Sequence, residues 1–320
     1  MSTMSSPSEY QYMPYTVVGG KGGDRGLKRQ RLLSCIVLHR GGRYQRADLF
    51  SHLRENGIDE ILSVENARPQ YDVEQLTERF PQAQFLLMHR SMTPGEQINV
   101  AMGEAKSRYV YVIWNDIRIS PVSPKFRSRL EQDETLCYVP FMRNERGEPV
   151  PNIIAPAFYR GLLRVVPQSP GPDLSRTLYP FDYVGVYNRE RFIQLHGYDE
   201  TIRNPYWQKL DFGFRAHMWG ETIYCIPSVR AQHLSHLDPD DTTPDEDYRR
   251  FYLKNLAVSY QGDHAALPLR RFGAYFLRTR GGLIRSYKLF REIRRWIREN
   301  RFRFRQNARS VTDLWEFERT

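Results

Sequence analysis

The sequence is short of cysteine and of long apolar runs, and each shortage excludes something. Cys35, Cys137 and Cys225 are odd in number, widely separated and without paired spacing. They supply neither a disulfide framework nor a zinc knuckle, which favours a reducing cytoplasm. Apolar stretches such as Cys35 to Leu38 fall far below the roughly 20 residues of a membrane-spanning helix. The opening MSTMSSPSEYQYMPY has no basic region followed by an apolar block, so no secretory signal is expected. No internal repeat is visible. GGKGGDRG, residues 19 to 26, lacks the Gly-Lys-Ser/Thr ending of a phosphate loop. With its Ser-, Gly- and Lys-rich surroundings it reads as part of a mobile arm over residues 1–31.

Charge, by contrast, is abundant and uneven. The 320 residues carry a net +10, and thirteen Arg or Lys against two Glu fall between Arg270 and Arg305. What remains is close to neutral, with 40% apolar residues overall, a globular composition. A near-neutral body over 32–262 therefore precedes a basic extension over 263–320.

From Leu32 the chain becomes regular. LLSCIVLH, EILSVEN, QFLLMHR and YVYVIW read as buried strands, with ADLFSHLRENG, VEQLTERF and PGEQINVAMGEA as the helices between them. Strand starts near 33, 59, 84 and 109 give one βα unit about every 25 residues, which implies a parallel sheet with right-handed crossovers. In open α/β sheets ligands gather beyond the carboxyl ends of the strands. Those ends are His39-Arg40, Glu65-Asn66, His89-Arg90 and Asn115-Asp116, a polar rim suited to a nucleotide. Asn-Asp is also ordinary turn material, so Asp116 is either a turn residue or a carboxylate delivered to a cation.

Beyond Asp116 the alternation breaks. A Pro-rich stretch from Pro167 to Pro180 is long and irregular enough to suggest a substrate-side loop. FDYVGVYN then reads as a strand and RERFIQLHG as a helix. LDFGFRAHMWG reads as a helix starting at Leu210-Asp211, TIYCIP and SVRAQHL as two strands, and PDEDYRRFYLKNLAVSY as an amphipathic helix.

The ordered set of SVEN, GEQINVAMGEAKSRYVYVIWND, RERFIQLHGYDE, YWQKLDFGFRAHMWG and AQH, over about residues 32 to 236, resembles the GT-A glycosyltransferases of the large family-2 type. The resemblance implies a Rossmann-like mixed α/β sheet flanked by helices and an inverting transfer from a nucleotide-diphosphate sugar. It matches Glu65 to a nucleoside contact and Asp116 to the last, metal-binding carboxylate of an Asp-x-Asp pattern. Trp114 stands where the first Asp is usual, a departure for which Asn115 offers a neutral acceptor. Asp211 matches the catalytic base, with Leu210 in place of the usual preceding Glu. His233 matches the imidazole that completes the metal shell, with His236 as the fallback. Asn99 matches a polar donor-side position, and His39 and Arg40 belong to the same donor rim. Oxygen ligands with one imidazole would suit Mn²⁺ or Mg²⁺, and a carboxylate such as Asp211 would take the acceptor proton during in-line attack.

In GGLIRSYKLFREIRRWIREN the residues Leu283, Tyr287, Phe290, Ile293, Trp296 and Ile297 fall at helical spacing, flanked by arginines. Over residues 281–305 such a helix would either lie on an anionic membrane surface, apolar face down, or pack on the domain with a solvated basic side. Nucleic acid is a poorer fit, because no recognised module accompanies the basic run. The expected function is thus an inverting glycosyltransferase at the cytoplasmic membrane face, acting on a glycan or lipid-linked acceptor. A nucleotidyltransferase stays open through HRGGRYQR, residues 39 to 46, and a degenerate scaffold stays open through Trp114 and Leu210.

Overall fold

The computed structural model describes residues 14–20, 33–41, 46–66, 72–159, 162–171, 174–279 and 282–317. The first half runs β1 (Tyr15–Gly19), β2 (Leu33–Leu38), α1 (Arg46–Glu55), β3 (Glu60–Glu65), α2 (Val73–Arg79), β4 (Ala83–Met88), α3 (Pro94–Glu104), β5 (Tyr109–Trp114), β6 (Ile117–Ile119) and α4 (Pro124–Gln132). Then come β7 (Cys137–Arg143), β8 (Ile153–Tyr159), β9 (Leu162–Gln168), β10 (Ser175–Arg176), a 3₁₀ turn (Phe181–Tyr183), β11 (Gly185–Asn188), α5 (Arg189–Gln194), α6 (Pro205–Met218) and β12 (Ile223–His233). The chain closes with α7 (Glu246–Phe251), a π turn (Tyr252–Leu256), β13 (Ser259–Gln261), β14 (His264–Ala266), α8 (Arg271–Thr279), α9 (Leu283–Asn300) and α10 (Ala308–Phe317).

Ten strands make one mixed sheet in the order β1-β4-β3-β2-β5-β11-β7-β12-β10, with β6 paired to β12. The four strands expected from the βα periodicity are parallel neighbours. Every residue of β2, β3 and β5 is buried, as continuous apolar runs covered on both faces require. Strand β11 enters antiparallel between β5 and β7 and makes the sheet mixed. The chain adds β3 and β4 on one side of β2 and β5 on the other. The order therefore reverses between β2 and β5, and an open α/β sheet presents its binding crevice at such a reversal.

Three elements differ from the sequence reading. Within the arm expected over residues 1–31, Tyr15–Gly19 forms a strand antiparallel to β4; residues 1–13 and 21–32 lie outside the described residues, and so does most of GGKGGDRG. TIYCIP and SVRAQHL are one strand, β12, whose register against β7 shifts between Ile226 and Arg230. Pro227 lies in that shift, where its missing N–H costs no ladder bond. Helix α6 begins at Pro205, not at Leu210. Asn204 caps it, accepting from the backbone N–H groups of Tyr206 and Trp207, with Pro205 in the first turn. Asp211 is consequently mid-helix.

The basic extension is part of the body. Phe290, Ile293 and Ile297 of α9, with Val311 and Trp315 of α10, share a second core with Leu210, Phe214 and Met218 of α6. Of the apolar stripe expected to face a bilayer, Phe290, Ile293 and Ile297 are thus spent in this core, while Leu283 and Tyr287 stay exposed. Gly213 marks the tightest approach on the neighbouring side of α6, where a Cβ would stand 2.5 Å from the Leu178 carbonyl oxygen. Among the described residues, no helix is long and apolar enough to cross a membrane.

Candidate active site

Arg40 follows β2 and Asp116 follows β5, and the pairing of Leu38 with Trp114 brings the two to the same level of the crevice. The Arg40 guanidinium is bonded on every edge. Nε donates to Asp116 at 3.1 Å, Nη1 to Asp182 at 2.7 Å and Nη2 to His233 Nδ1 at 3.2 Å. The Arg40 backbone N–H donates to Asn115 Oδ1 at 3.1 Å, and the guanidinium carbon lies 4.6 Å from the centre of the Trp114 ring. Trp114 Nε1 in turn donates to the Asp182 carbonyl at 2.9 Å. Asp116 is completely buried and also accepts from the Ser235 hydroxyl.

Electrostatics follow from that packing. Burial works against the Arg40 charge, but Asp182 and Asp116 more than offset it and hold its pKa above the usual value. Burial pushes the Asp182 carboxyl up to about 6, although Arg40 and Lys209 pull the other way. Burial, and then Arg40, push the His233 imidazole down to about 4, so it is neutral near pH 7. A guanidinium only donates. His233 Nδ1 must therefore accept, which leaves the ring proton on Nε2. That atom is buried and has no partner among the described residues.

Asp116, Asp182 and His233 have the chemistry of a divalent-cation shell. Their common centre, however, is held by Arg40, and the His233 nitrogen left free carries a proton. As arranged, the residues do not fit a metal ion. Among the described residues no group of three or more His, Cys, Asp or Glu stands close enough to hold one. Asp116 and His233, expected as ligands for Mn²⁺ or Mg²⁺, do meet here, with the Arg40 guanidinium between them.

On the next strand, Glu65 is buried. Its Oε1 accepts from Arg46 at 2.6 Å and Ser63 at 2.7 Å, while Oε2 has no partner among the described residues. His39 Nε2 lies 2.8 Å from Ser63 Oγ and 3.6 Å from Glu65. The loop considered for a nucleotidyltransferase lies outside the described residues over 42–45.

Two expected site residues lie elsewhere. Asp211 is wholly buried, and both its oxygens are engaged. Arg215 and Lys254 donate to Oδ2 at 3.0 and 3.1 Å, and Asn255 donates to Oδ1 at 2.8 Å. A carboxylate so enclosed has no path to an acceptor hydroxyl, so Asp211 is a structural charge and not the base expected. Asn99 clamps the Tyr198 backbone, donating to its carbonyl at 2.8 Å and accepting from its N–H at 2.9 Å. It is not at the donor rim.

Beside Arg40 opens a cavity of about 480 Å³ whose wall includes Asp182, Lys209, His233, His236, Asp238 and Asp240. Helix α6 presents Lys209 here, paired with Asp240 at 2.7 and 2.8 Å. Asp211 lies two residues on, near the opposite face, as about 100° per residue dictates. Asp182, Lys209, Ser235 and Asp240 were not singled out by sequence. The one local signal is conformational: Asp182 and Tyr183 both have positive φ, at 51° and 63°, and such backbone strain gathers at functional sites.

The sequence matches no protein-family model and no curated protein. Solved structures do share the fold. GalNAc-T7, crystallised with UDP, GalNAc and Mn²⁺, aligns with a TM-score of 0.53 at 13% identity, over 85% of this chain and 57% of that one. This chain thus spans little more than half of that structure. TarS 1–349 from S. aureus, in complex with UDP-GlcNAc, aligns with a TM-score of 0.50 at 14% identity, over 82% of this chain and 71% of that one. The fold is that of the GT-A glycosyltransferases. In this fold the crevice between β2 and β5 is the position of Arg40 and Asp116, and the 480 Å³ cavity opens beside it, walled by the segments after β7 and β12, the 3₁₀ turn and α6.

Proposed function

We propose that the protein transfers a sugar from a nucleotide-diphosphate sugar to a hydroxyl of a glycan or lipid-linked acceptor. The observation that carries this reading is the set of unspent polar atoms at the crevice. Glu65 Oε2, without a partner among the described residues, is an acceptor suited to a nucleoside hydroxyl or N–H. His233 Nε2–H, likewise unpartnered among the described residues, is a donor suited to a phosphate oxygen. Arg40 lies between them in the strand order, its positive charge shared with Asp116 and Asp182. The adjoining cavity lies within the usual size range for a small-molecule site.

In the reaction, the bond from the anomeric carbon to the diphosphate oxygen breaks as the acceptor oxygen attacks in line. The acceptor proton passes to a cavity carboxylate, for which Asp182, Asp238 and Asp240 are the candidates. The leaving diphosphate keeps the electron pair, and preorganised donors aimed at its oxygens stabilise that charge. Metal assistance is not carried into this reading, because the Arg40 guanidinium stands among Asp116, Asp182 and His233.

A membrane-linked acceptor has its own support. Around the start of α9, Leu277, Leu283, Ile284 and Tyr287 are 80, 57, 74 and 51% exposed, and Arg271, Lys288 and Arg291 are exposed beside them. Protruding apolar side chains ringed by cations suit an anionic lipid surface. The proposed working place is therefore the cytoplasmic face of a membrane.

The test is a thermal-shift screen of nucleotide sugars followed by turnover with each stabilising donor. At least one donor is expected to raise Tm and to be consumed. If no nucleotide sugar binds, the reading fails.

A further inference from the structure

The cation at the centre of the site belongs to the chain. Three facts bear on what it does. First, the groups that would surround a divalent ion all point at one guanidinium: Asp116, Asp182 and His233 take Nε, Nη1 and Nη2 of Arg40. Second, the position expected to bring another carboxylate holds Trp114. Its ring cannot ligate a metal but lies 4.6 Å under the guanidinium, within cation–π range. Third, His233 offers an N–H at Nε2, because Nδ1 already accepts from Arg40. An N–H donates to an anion and cannot bind a cation.

A second cation inserted among these groups would stand a few ångströms from a half-buried guanidinium, and like charges at that range repel. We propose that Arg40 is the built-in counter-cation of the diphosphate, with His233 Nε2–H as its companion donor, so that the donor binds without a divalent metal. The inference rests on the nucleotide-sugar reading above. His233 Nε2–H then meets the phosphates directly, and the Arg40 guanidinium stands behind it as the neighbouring positive charge. Trp114, Asn115 and Asp182 act as positioning residues that hold the arginine in place.

The experiment is calorimetric titration of the full chain with a panel of nucleoside diphosphates (UDP, GDP, ADP, CDP and dTDP), once in EDTA and once in Mn²⁺. Electron paramagnetic resonance reports in parallel whether Mn²⁺ is immobilised. Wild type is expected to bind at least one diphosphate with the same Kd in both buffers, within about twofold, and to leave Mn²⁺ free. Arg40→Ala is expected to lose at least tenfold in EDTA and to recover part of that loss in Mn²⁺, since the vacated carboxylates can then take the ion. Arg40→Lys keeps the charge and guards against a folding defect; it is expected to bind without metal and less than tenfold more weakly than wild type.

Binding that appears only with Mn²⁺, or Mn²⁺ immobilised by wild type, overturns the inference while leaving the nucleotide reading intact. Failure of every diphosphate to bind in either buffer overturns both.

Discussion

Lys254 Nζ stands 3.1 Å from Asp211 Oδ2, a bond between buried charges 43 residues apart in sequence. It ties the π turn after α7 to the middle of α6, and Arg215 makes the same carboxylate a shared anion for two cations. Removing it leaves the buried Arg215 without its carboxylate, while Lys254 keeps Asp199 at 2.7 Å. Asp211→Ala is expected to cost about 3–5 kcal/mol, the usual result of breaking a buried pair from one side. Urea denaturation reads that loss. Donor affinity of the folded fraction should stay unchanged, and a variant of wild-type stability with abolished turnover would restore Asp211 to the catalytic role.

Trp114 offers a separable probe of the site. Trp114→Phe keeps a ring under Arg40 but loses the hydrogen bond to the Asp182 carbonyl. Trp114→Ala loses both. A cation–π contact of this kind is worth about 0.5–2 kcal/mol. Nucleoside diphosphate affinity is therefore expected to fall in the order wild type, Phe, Ala, with the Ala variant down by several-fold. Equal affinities across the three would show that the ring does not position Arg40.

His217 sets a pH dependence away from the site. Burial first, and the neighbouring Arg176 charge second, push its imidazole down to about 3, whereas in the unfolded chain it takes up a proton near the ordinary value of about 6.5. A lowered folded-state value means that the unfolded chain binds the extra proton. Stability is fully present above pH 6.5 and falls as the pH drops below it, by up to about 1.4 kcal/mol per unit. His217→Gln should show a shallower decline between pH 6.5 and 5 in denaturant titrations. Parallel curves for the two proteins would contradict the assignment.

The exposed tip at the start of α9 gives the fourth prediction. Ile284→Glu combined with Lys288→Glu is expected to lower partitioning onto vesicles containing phosphatidylserine by more than tenfold, since each surface cation alone contributes about 1 kcal/mol. Melting temperature should hold, because both side chains are exposed. Vesicle sedimentation that does not change would remove the lipid surface from the proposed function.

Periodicity made the four βα units legible because buried strands and amphipathic helices leave unequal traces in the apolar pattern. The same units carried His39, Arg40, Glu65, Asn115 and Asp116 to one rim, since a strand's end is fixed once the strand is found. Asp211 was misplaced for a local reason. The Asn204-Pro205 start signal lies six residues earlier than the apolar pattern suggested, which turned a mid-helix residue into an apparent cap. Asp182 had no readable trace. It meets Arg40 across 142 residues of chain, and its left-handed backbone is imposed by the fold around it. Lys209 and Asp240 likewise become partners only when α6 and the segment after β12 are brought together.

Strand β1 carries one more consequence. Tyr15 to Gly19 pair residue by residue with Met88 to Gln84, and among the described residues they are the outermost strand on that flank of the sheet. Beneath them lies AQFLLM, uncharged and almost entirely buried. Stripped of its five-residue cover, this border would offer an unprotected row of N–H and C=O groups flanked by leucine, phenylalanine and methionine, a template on which other chains assemble. The segment thus works as a guard against self-association. In a chain shortened to begin at Leu33, turbidity would rise before any change at the crevice could be detected.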